Sequence, residues 1–257
     1  MSNSDSAAVR YARHFSLPPI GPKGQEKLGS SSVLIVGAGG LGATASLYLT
    51  TAGIGRILIN DFDRVDATNL PRQILFRADD LGRHKAEAAA ERLREWNPET
   101  RIIPLPEKLT PHALKETIRD VDVVLDCSDN FATRWELNEI CVKERRALVS
   151  GAAIRMEGQL TVFRHETGKG ACYRCLYSQA DENLEDCAGQ GILAPVAGTI
   201  GCMMATETIK LISGIESELD GALWVYDAAA GTSRTLKIAK RADCPVCSKS
   251  TPGLRST

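Results

Sequence analysis

The chain has 257 residues, of which 43% are hydrophobic and 25% charged, and its formal net charge at pH 7 is −1. This composition is typical of a folded globular protein and excludes collagen-like or disordered structure. Because acidic and basic residues balance, no overall positive field favours nucleic acid or an anionic membrane, and neither is expected as a partner. The N-terminus lacks the apolar run of a signal peptide, and no stretch reaches the ~18 apolar residues of a membrane span, which favours a cytoplasmic protein.

Strands and helices alternate in the first part of the chain. Residues 1–30 are predicted to form an N-terminal helical arm. Strands are predicted at Ser32–Val36, Arg56–Asn60, Arg101–Leu105, 121–125 and 147–150, and helices at 43–52, 81–96, Pro111–Arg119 and 132–145. Such alternation predicts an α/β fold, with a Rossmann-like, mainly parallel sheet and helices on both faces. No repeat or low-complexity linker interrupts the sequence, so residues 1–257 are interpreted as a single domain.

The pattern changes after Gly151. Residues 158–165 alternate as an exposed edge strand would, and 223–227 and 232–238 are typical of a second pair of strands. A helix is predicted over 196–212, with Gly198, Gly201 and Ala205 on one side, a spacing that permits close packing. We therefore expect antiparallel strands to extend the parallel sheet.

Four of the eight cysteines form two closely spaced pairs. These are Cys172 with Cys175 and Cys244 with Cys247. Two such pairs supply the four thiolates of a tetrahedral structural zinc site, provided that the fold brings them together. A redox dithiol is the alternative, but one redox pair would leave the second pair unexplained. The sequence therefore favours a structural Zn²⁺ ion over four unrelated buried cysteines.

A glycine-rich loop joins the first predicted strand to the next helix. Its spacing, Gly37-x-Gly39-x-x-Gly42, permits a tight turn and lets the backbone approach a phosphate at a helix N-terminus. Asp61 follows the second strand, where it is placed to accept hydrogen bonds from ribose hydroxyls. NAD, FAD and ATP all satisfy this pattern, and a glycine turn without a ligand remains the simpler alternative.

The residues that follow distinguish between these ligands. Arg72 and Lys85 provide cations after the second strand, and Asp129 and Asn130 follow a central strand at the edge where open α/β sheets bind ligands. A carboxylate beside a triphosphate would be repelled unless it held Mg²⁺, and nearby cations would neutralise charge developing at phosphorus. No feature points to hydride transfer. We therefore interpret the nucleotide as a substrate and not as a redox carrier.

Together these segments resemble the MoeB/ThiF/HesA family, the bacterial relatives of ubiquitin-activating enzymes. The resemblance runs from Arg10 to Cys247. It is carried by RYARHF, VLIVGAGGLG, DFDRVDATNLPRQ, LDCSDNFATR, LVSGAAIRMEGQLTVF, CYRCL and CPVC, in this order. Within the family, SGAAIRMEGQ and the second half of the chain are most similar to MoeB-type members, which activate molybdopterin synthase.

The resemblance implies an adenylyltransferase. Its substrate would be the C-terminal glycine of a small β-grasp sulfur-carrier protein ending in Gly-Gly, which would react with ATP to give an acyl-adenylate and pyrophosphate. A MoaD-like carrier and molybdenum cofactor biosynthesis are expected, and a ThiS-like carrier or another thiolation pathway is the alternative. Residues 31–151 would form the nucleotide-binding half, and residues 152–257 the zinc-bound, carrier-binding half.

The resemblance also implies roles for individual residues. Arg13, Arg72 and Asp129 would be catalytic, Asp129 would hold Mg²⁺, and Arg13 would reach in from the partner subunit of a homodimer. ATP would be bound by Gly37, Gly39, Gly40, Gly42, Asp61, Asp63, Asn69, Arg72, Gln73, Lys85, Asp129 and Asn130. The alternatives are a solvated surface position for Arg13 and Lys85 and a helix N-cap for Asp129.

Three further positions bear on the mechanism. Pro71 stands where many relatives have Gln, which can alter the loop but leaves Arg72 in place. No sulfurtransferase domain of the rhodanese type follows Cys247, so a separate protein is expected to donate sulfur. Cys187 matches a cysteine that some relatives join covalently to the carrier, but no neighbouring cation lowers its pKa, so an incidental loop thiol is the alternative.

Two functions of other classes compete with adenylation. An NAD-dependent oxidoreductase is supported by the glycine loop and Asp61 alone. A non-catalytic scaffold with a zinc clamp would bind a β-grasp partner with an affinity that ignores ATP and Mg²⁺.

Overall fold

The computed structural model describes residues 8–168, 170–178 and 191–248. Within these ranges, eight strands form one mixed sheet in the order β3-β2-β1-β4-β5-β6-β7-β8. The strands are β1 Ser32–Val36, β2 Arg56–Asn60, β3 Arg101–Leu105, β4 Val123–Asp126, β5 Ala147–Ile154, β6 Glu157–Phe163, β7 Ala222–Asp227 and β8 Thr232–Lys237. The helices are α1 Ala12–Phe15, α2 Gly21–Ser30, α3 Gly40–Thr51, α4 Lys85–Trp96, α5 Pro111–Arg119, α6 Phe131–Glu144, α7 Tyr173–Leu176 and α8 Ala194–Ser213, with 3₁₀ turns at Ala67–Asn69, Ala78–Asp80 and His165–Thr167.

The parallel half of the sheet comprises strands β3, β2, β1, β4 and β5. The strand order reverses beside β1, which pairs with β2 on one side and with β4 on the other. Val36, the last residue of β1, pairs with Asn60 and with Asp126. The segments that follow these three strands therefore emerge side by side at the switch point, where open α/β sheets bind ligands.

Alternate residues of each strand enter two separate cores. Val33 and Ile35 pack in the core that contains α3, α4 and α8, whereas Leu34 and Val36 pack in the core that contains α5 and α6. Because successive side chains of a strand point to opposite faces, this division shows helices on both sides of the sheet. The predicted fold class is confirmed.

Helices α3 and α8 pack closely. A Cβ atom on Gly201 would lie 2.6 Å from the carbonyl oxygen of Leu41. The predicted close approach is therefore confirmed at Gly201. At Gly198 an added Cβ would meet no described atom within 4 Å, so that glycine has no such packing role.

The antiparallel half differs from the prediction in one respect. Strand β6 lies between β5 and β7, and its Leu160, Val162 and Phe163 are fully buried. The prediction of an exposed edge strand at 158–165 is wrong, because β7, which covers the second edge of β6, is supplied by a distant segment of the chain. The edge strand of this half of the sheet is β8, all of whose residues are exposed.

Two element boundaries each differ from the prediction by four residues. Helix α4 begins at Lys85 and not at residue 81, because the fully buried Asp80 binds Arg83 and Arg92 and holds the preceding segment in a turn. Strand β5 continues to Ile154, since its later residues pair with β6 beyond the end of β4. No helix in the described part of the chain has the length and apolar character needed to cross a bilayer.

Candidate active site

A cleft of about 780 Å³ opens at the carboxyl ends of β1, β2 and β4. The predicted nucleotide residues that line it are Gly37, Gly39, Gly40, Asp61, Asp63, Asn69, Arg72, Gln73, Lys85, Asp129 and Asn130. Of the predicted ATP-binding and catalytic residues that the structure describes, Gly42 and Arg13 do not line this cleft. The topology thus brings together residues from three separate strand ends.

The glycine loop is fixed by contacts that exclude side chains. Gly37 has φ +96°, and a Cβ there would lie 2.7 Å from the carbonyl oxygen of Cys127. A Cβ on Gly40 would lie 2.9 Å from that of Ala197. Helix α3 begins at Gly40, and the first N–H groups of a helix have no partner within it. The loop therefore directs donors and the positive end of the helix dipole towards the cleft, as anion binding requires.

Asp61 is held rigidly at the end of β2. Its Oδ2 accepts a hydrogen bond from the amide of Ala38 at 2.7 Å, and its Oδ1 accepts one from the amide of Asp63 at 2.9 Å. Burial raises the pKa of Asp61, whereas the charge of Lys85 and the two amide donors act in the opposite direction. Because each carboxylate oxygen has a further lone pair, Asp61 can still accept hydrogen bonds from ribose hydroxyls.

Two of the cations that line the cleft are the predicted Arg72 and Lys85. Lys85 is 6% exposed and donates to Oδ2 of Asp63 at 2.9 Å, so it is not a solvated surface residue. Arg72 is half-buried and donates to the carbonyl oxygen of Thr68 at 3.0 Å and to Oδ1 of Asn69 at 3.1 Å. Both cations are therefore oriented by neighbouring acceptors.

Asp129 and Asn130 have different functions in the turn after β4. Asn130 is the N-cap of α6, since its Oδ1 accepts a hydrogen bond from the amide of Thr133 at 2.9 Å. The interpretation of Asp129 as the N-cap is therefore wrong. Asp129 is exposed at the cleft, and its carboxylate accepts a long hydrogen bond of 3.4 Å from Nδ2 of Asn130. It is placed to hold a cation.

The sequence analysis missed two buried charged residues beside this turn. Asp126 is fully buried at the end of β4, and Arg134 lines the cleft with 7% of its surface exposed. The signal for Asp126 was the serine two residues later, because aspartate often binds the backbone two positions on. Arg134 gave no signal beyond its place four residues after the N-cap.

The catalytic roles of all four predicted residues stay predictions, and two of these residues are not seen at the cleft. Arg13 is exposed on α1, away from the cleft of its own chain. Cys187 lies outside the described residues.

The four paired cysteines meet at one site. Sγ of Cys172 lies 3.6 Å from Sγ of Cys244, and Sγ of Cys175 lies 3.4 Å from Sγ of Cys247. All four sulfur atoms lie within 4.8 Å of one another. Of the first pair, Cys172 is the N-cap of α7 and Cys175 lies within it, whereas the second pair follows β8, so this cluster joins two distant segments. It also gives both pairs one function, which the redox interpretation did not.

The chemistry of the cluster fits a divalent ion. Burial and the negative charge of neighbouring thiolates raise the pKa of Cys172 to about 11 and also raise the pKa of Cys247. Burial acts to raise the pKa of Cys244 too, but hydrogen bonds outweigh it and lower this pKa to about 7. A cation among the sulfurs would favour the loss of all four protons, and Zn²⁺ prefers such a tetrahedral thiolate set. The amide of Arg241 donates to Sγ of Cys175 at 3.5 Å, which orients a ligand from outside the set.

Comparisons with known proteins agree with this arrangement. The ThiF family matches residues 11–246. The Escherichia coli K12 sulfur carrier protein ThiS adenylyltransferase is 41% identical over 95% of this chain and 96% of its own length. The SAMP-activating enzyme E1 of Haloferax volcanii is 43% identical over 93% of this chain and 88% of its own length. The adenylyltransferase and sulfurtransferase MOCS3 of Drosophila yakuba is 45% identical over 96% of this chain, which spans 54% of that protein.

Solved structures share the fold. E. coli MccB with MccA-N7isoASN superposes with a TM-score of 0.81 at 24% identity, covering 93% of this chain and 74% of MccB. E. coli MccB with ATP superposes with a TM-score of 0.77 at 25% identity, covering 88% of this chain and 68% of MccB.

Proposed function

The chain belongs to the ThiF family, and from that premise we propose that it is an ATP-dependent adenylyltransferase for a small sulfur-carrier protein. The observation that carries this proposal is the cleft at the switch point. There the N-terminus of α3, the cations Arg72 and Lys85, and the exposed carboxylate of Asp129 face one another. Such a set binds a triphosphate and a divalent ion.

Each part of the cleft suits one part of ATP. Asp61 binds the ribose hydroxyls, and the N–H groups at the start of α3 bind phosphate oxygens. Arg72 and Lys85 neutralise charge that develops on the phosphates. Asp129 would hold Mg²⁺, which supplies further neutralisation of the phosphate charge. The solved structure of E. coli MccB with ATP supports a nucleotide in this fold.

The reaction joins two substrates at phosphorus. An oxygen of the carrier's C-terminal carboxylate forms a bond to the α-phosphorus of ATP, and the bond from that phosphorus to the bridging oxygen breaks. The products are an acyl-adenylate and pyrophosphate, so the poorly electrophilic carboxylate gains AMP as a leaving group. No proton transfer is needed, and the contribution of the protein is positioning and electrostatic stabilisation.

The antiparallel half offers a surface for the carrier. On one face of the sheet, the register aligns Leu223 of β7 with Leu236 of β8, and Val225 with Gln159 of β6. Leu236 is 48% exposed, and among the described residues neither Leu223 nor Val225 belongs to a core cluster. This apolar face is continuous with the cleft through Ala152, which pairs with Gln159. A β-grasp body on this face would direct its C-terminal tail towards ATP.

We further propose a MoaD-like carrier and molybdenum cofactor biosynthesis. The support is the segment SGAAIRMEGQ, which contains Ala152 and Ala153 of the cleft wall. The E. coli relative is named for ThiS and the H. volcanii relative for SAMP, so identities of 41% and 43% support a ThiS-like or other carrier as well. A homodimer in which the partner subunit supplies Arg13, a separate sulfur donor and a cytoplasmic location belong to the same proposal.

The test is ATP–pyrophosphate exchange with zinc-replete protein, Mg²⁺ and a panel of carriers ending in Gly-Gly. Wild type is measured beside Asp129→Ala and Cys187→Ala. We expect exchange that needs one carrier and Asp129 and that survives the loss of Cys187. Carrier binding that ignores ATP and Mg²⁺, without exchange, would favour the scaffold. Bound NADH fluorescence, without exchange, would favour the oxidoreductase.

A further inference from the structure

Two buried charged side chains, those of Asp126 and Arg134, form hydrogen bonds with Ser128, the residue before Asp129. We infer that Asp126 and Arg134 are positioning residues that fix Asp129 in the cleft. This inference rests on the proposed function, because Asp129 matters only if it holds Mg²⁺ beside the nucleotide.

Asp126 binds the amide and the hydroxyl of Ser128. It is fully buried, and its Oδ1 accepts hydrogen bonds from the amide of Ser128 at 3.1 Å and from the hydroxyl of Ser128 at 2.6 Å. Its Oδ2 accepts a hydrogen bond from the hydroxyl of Ser150 on β5 at 2.9 Å. A buried carboxylate is costly unless it is well bonded, so three donors indicate that the turn is built around Asp126.

Arg134 binds the carbonyl group of the same residue. Its NH2 donates to the carbonyl oxygen of Ser128 at 2.8 Å, and its NH1 lies 3.4 Å from the hydroxyl of Tyr173. Tyr173 stands between the zinc ligands Cys172 and Cys175, at the start of α7. The hydrogen bonds to Ser128 are thereby connected to the cysteine cluster.

These hydrogen bonds to Ser128 fix the position of the Asp129 carboxylate. The Asp129 side chain is exposed, and Asn130 donates to it over a long distance of 3.4 Å. Its position is therefore set by its backbone and not by bonds of its own. With Ser128 held at both its amide and its carbonyl, and with Asn130 capping α6, the backbone on either side of Asp129 is fixed. Such preorganisation is what a metal-binding carboxylate requires.

The chain offers matched control variants for both residues. Asp122, at the other end of β4, accepts hydrogen bonds from the amide and the hydroxyl of Ser32 at 2.8 and 2.9 Å, in the same pattern as Asp126. Arg146 donates to the carbonyl oxygen of Arg119 at 2.7 Å, away from the cleft. Asp122→Asn and Arg146→Lys therefore remove similar bonds without touching Ser128.

The experiment measures ATP affinity by calorimetry with and without Mg²⁺, so it needs no carrier. We expect Asp126→Asn and Arg134→Lys to reduce the Mg²⁺-dependent gain in ATP affinity by about 10-fold. The zinc content of all variants, and the ATP affinities of both control variants with and without Mg²⁺, should match wild type. An unchanged Mg²⁺-dependent gain in Arg134→Lys, the variant that keeps the buried carboxylate network, would overturn the inference even if Asp126→Asn failed to fold.

Two failures can be distinguished. If wild-type protein gains no ATP affinity from Mg²⁺, the proposed role of Asp129 is wrong, and the inference fails with it. If wild type gains affinity from Mg²⁺ and both variants retain the gain, the hydrogen bonds to Ser128 serve stability alone. The inference is then wrong, and the proposed function stands.

Discussion

A Cβ atom on Gly42 would lie 1.8 Å from the carbonyl oxygen of Gly37. The last glycine of the loop therefore packs directly on the first, and no side chain of any size fits between them. Gly42 does not line the cleft, yet it sets the curvature that lets the backbone of Gly37, Gly39 and Gly40 do so. The structure shows close packing of Gly42 between turn and helix, and its predicted contact with the nucleotide stays a prediction.

Replacement of Gly42 by alanine should damage both the fold and the site. We expect the free energy of unfolding to fall by about 1–3 kcal/mol because the loop must move, and ATP affinity to fall with it. Denaturant titration and calorimetry measure the two effects. The control is Gly29→Ala in α2, where an added Cβ meets no described atom within 4 Å and should stabilise the helix by about 0.5–1 kcal/mol. Equal stability of Gly42→Ala and wild type would contradict the packing argument.

Zinc removal should weaken the whole domain. The four sulfurs join residues 72 positions apart, so loss of the ion frees the segment after β8 from α7. We expect one zinc per chain by elemental analysis, and a fall in melting temperature of roughly 10 °C or more after chelation or in Cys172→Ser. Cys202→Ser, which alters a half-buried cysteine of α8 outside the cluster, should retain both zinc and stability.

Acid should destabilise the protein through His165. Burial, with a smaller effect from the charge of Lys240, lowers the pKa of His165 to about 4, below the ~6.5 of an unfolded histidine. Near pH 7 both states are neutral and nothing is lost. As the pH falls from about 6.5 to about 4, the unfolded chain binds a proton that the folded protein does not, and stability decreases by up to roughly 3 kcal/mol.

The variant His165→Phe tests this pH dependence, because it keeps the ring that stacks on Phe163 and removes the titration. Urea titrations near pH 7 and near pH 5 should show a smaller loss of stability in the variant than in wild type. The exposed His112 supplies the control, and His112→Gln should behave as wild type does. A wild-type acid loss that persists in His165→Phe would show that other groups cause it.

Loss of the Lys85 charge should impair ATP use more than stability. Lys85→Met breaks the ion pair between Lys85 and Asp63 and removes a cation from the phosphate site. We expect kcat/KM for ATP in pyrophosphate exchange to fall by about 100-fold, with a small change in unfolding free energy. Lys115→Met, which breaks a longer and more exposed ion pair with Glu144 on the opposite face of the sheet, should leave exchange intact. Similar losses in the two variants would mean that Lys85 acts on stability alone.

Local sequence patterns predicted much of the fold. The bounds of β1, β2, β3 and α5 agree with the structure, because short apolar runs between turns and a Pro-started helix depend on near neighbours. The helix start at Lys85 was missed, since buried Asp80 binds Arg92 from a later turn. Long-range ion pairs of this kind leave no periodic trace in the sequence.

The sequence by itself determined the chemistry of this protein: glycines where the backbone must turn without side chains, two cysteine pairs with the spacing of metal ligands, and polar residues after predicted strands. Such features are local, so composition and spacing reveal them. Only the tertiary structure decided that β6 is an inner strand, that Asn130 and not Asp129 caps α6, and that Asp126 and Arg134 hold Ser128. These outcomes depend on which distant segments pack together. Hydrogen bonds to charged groups become strong when they are buried, and burial exists only after the segments have packed.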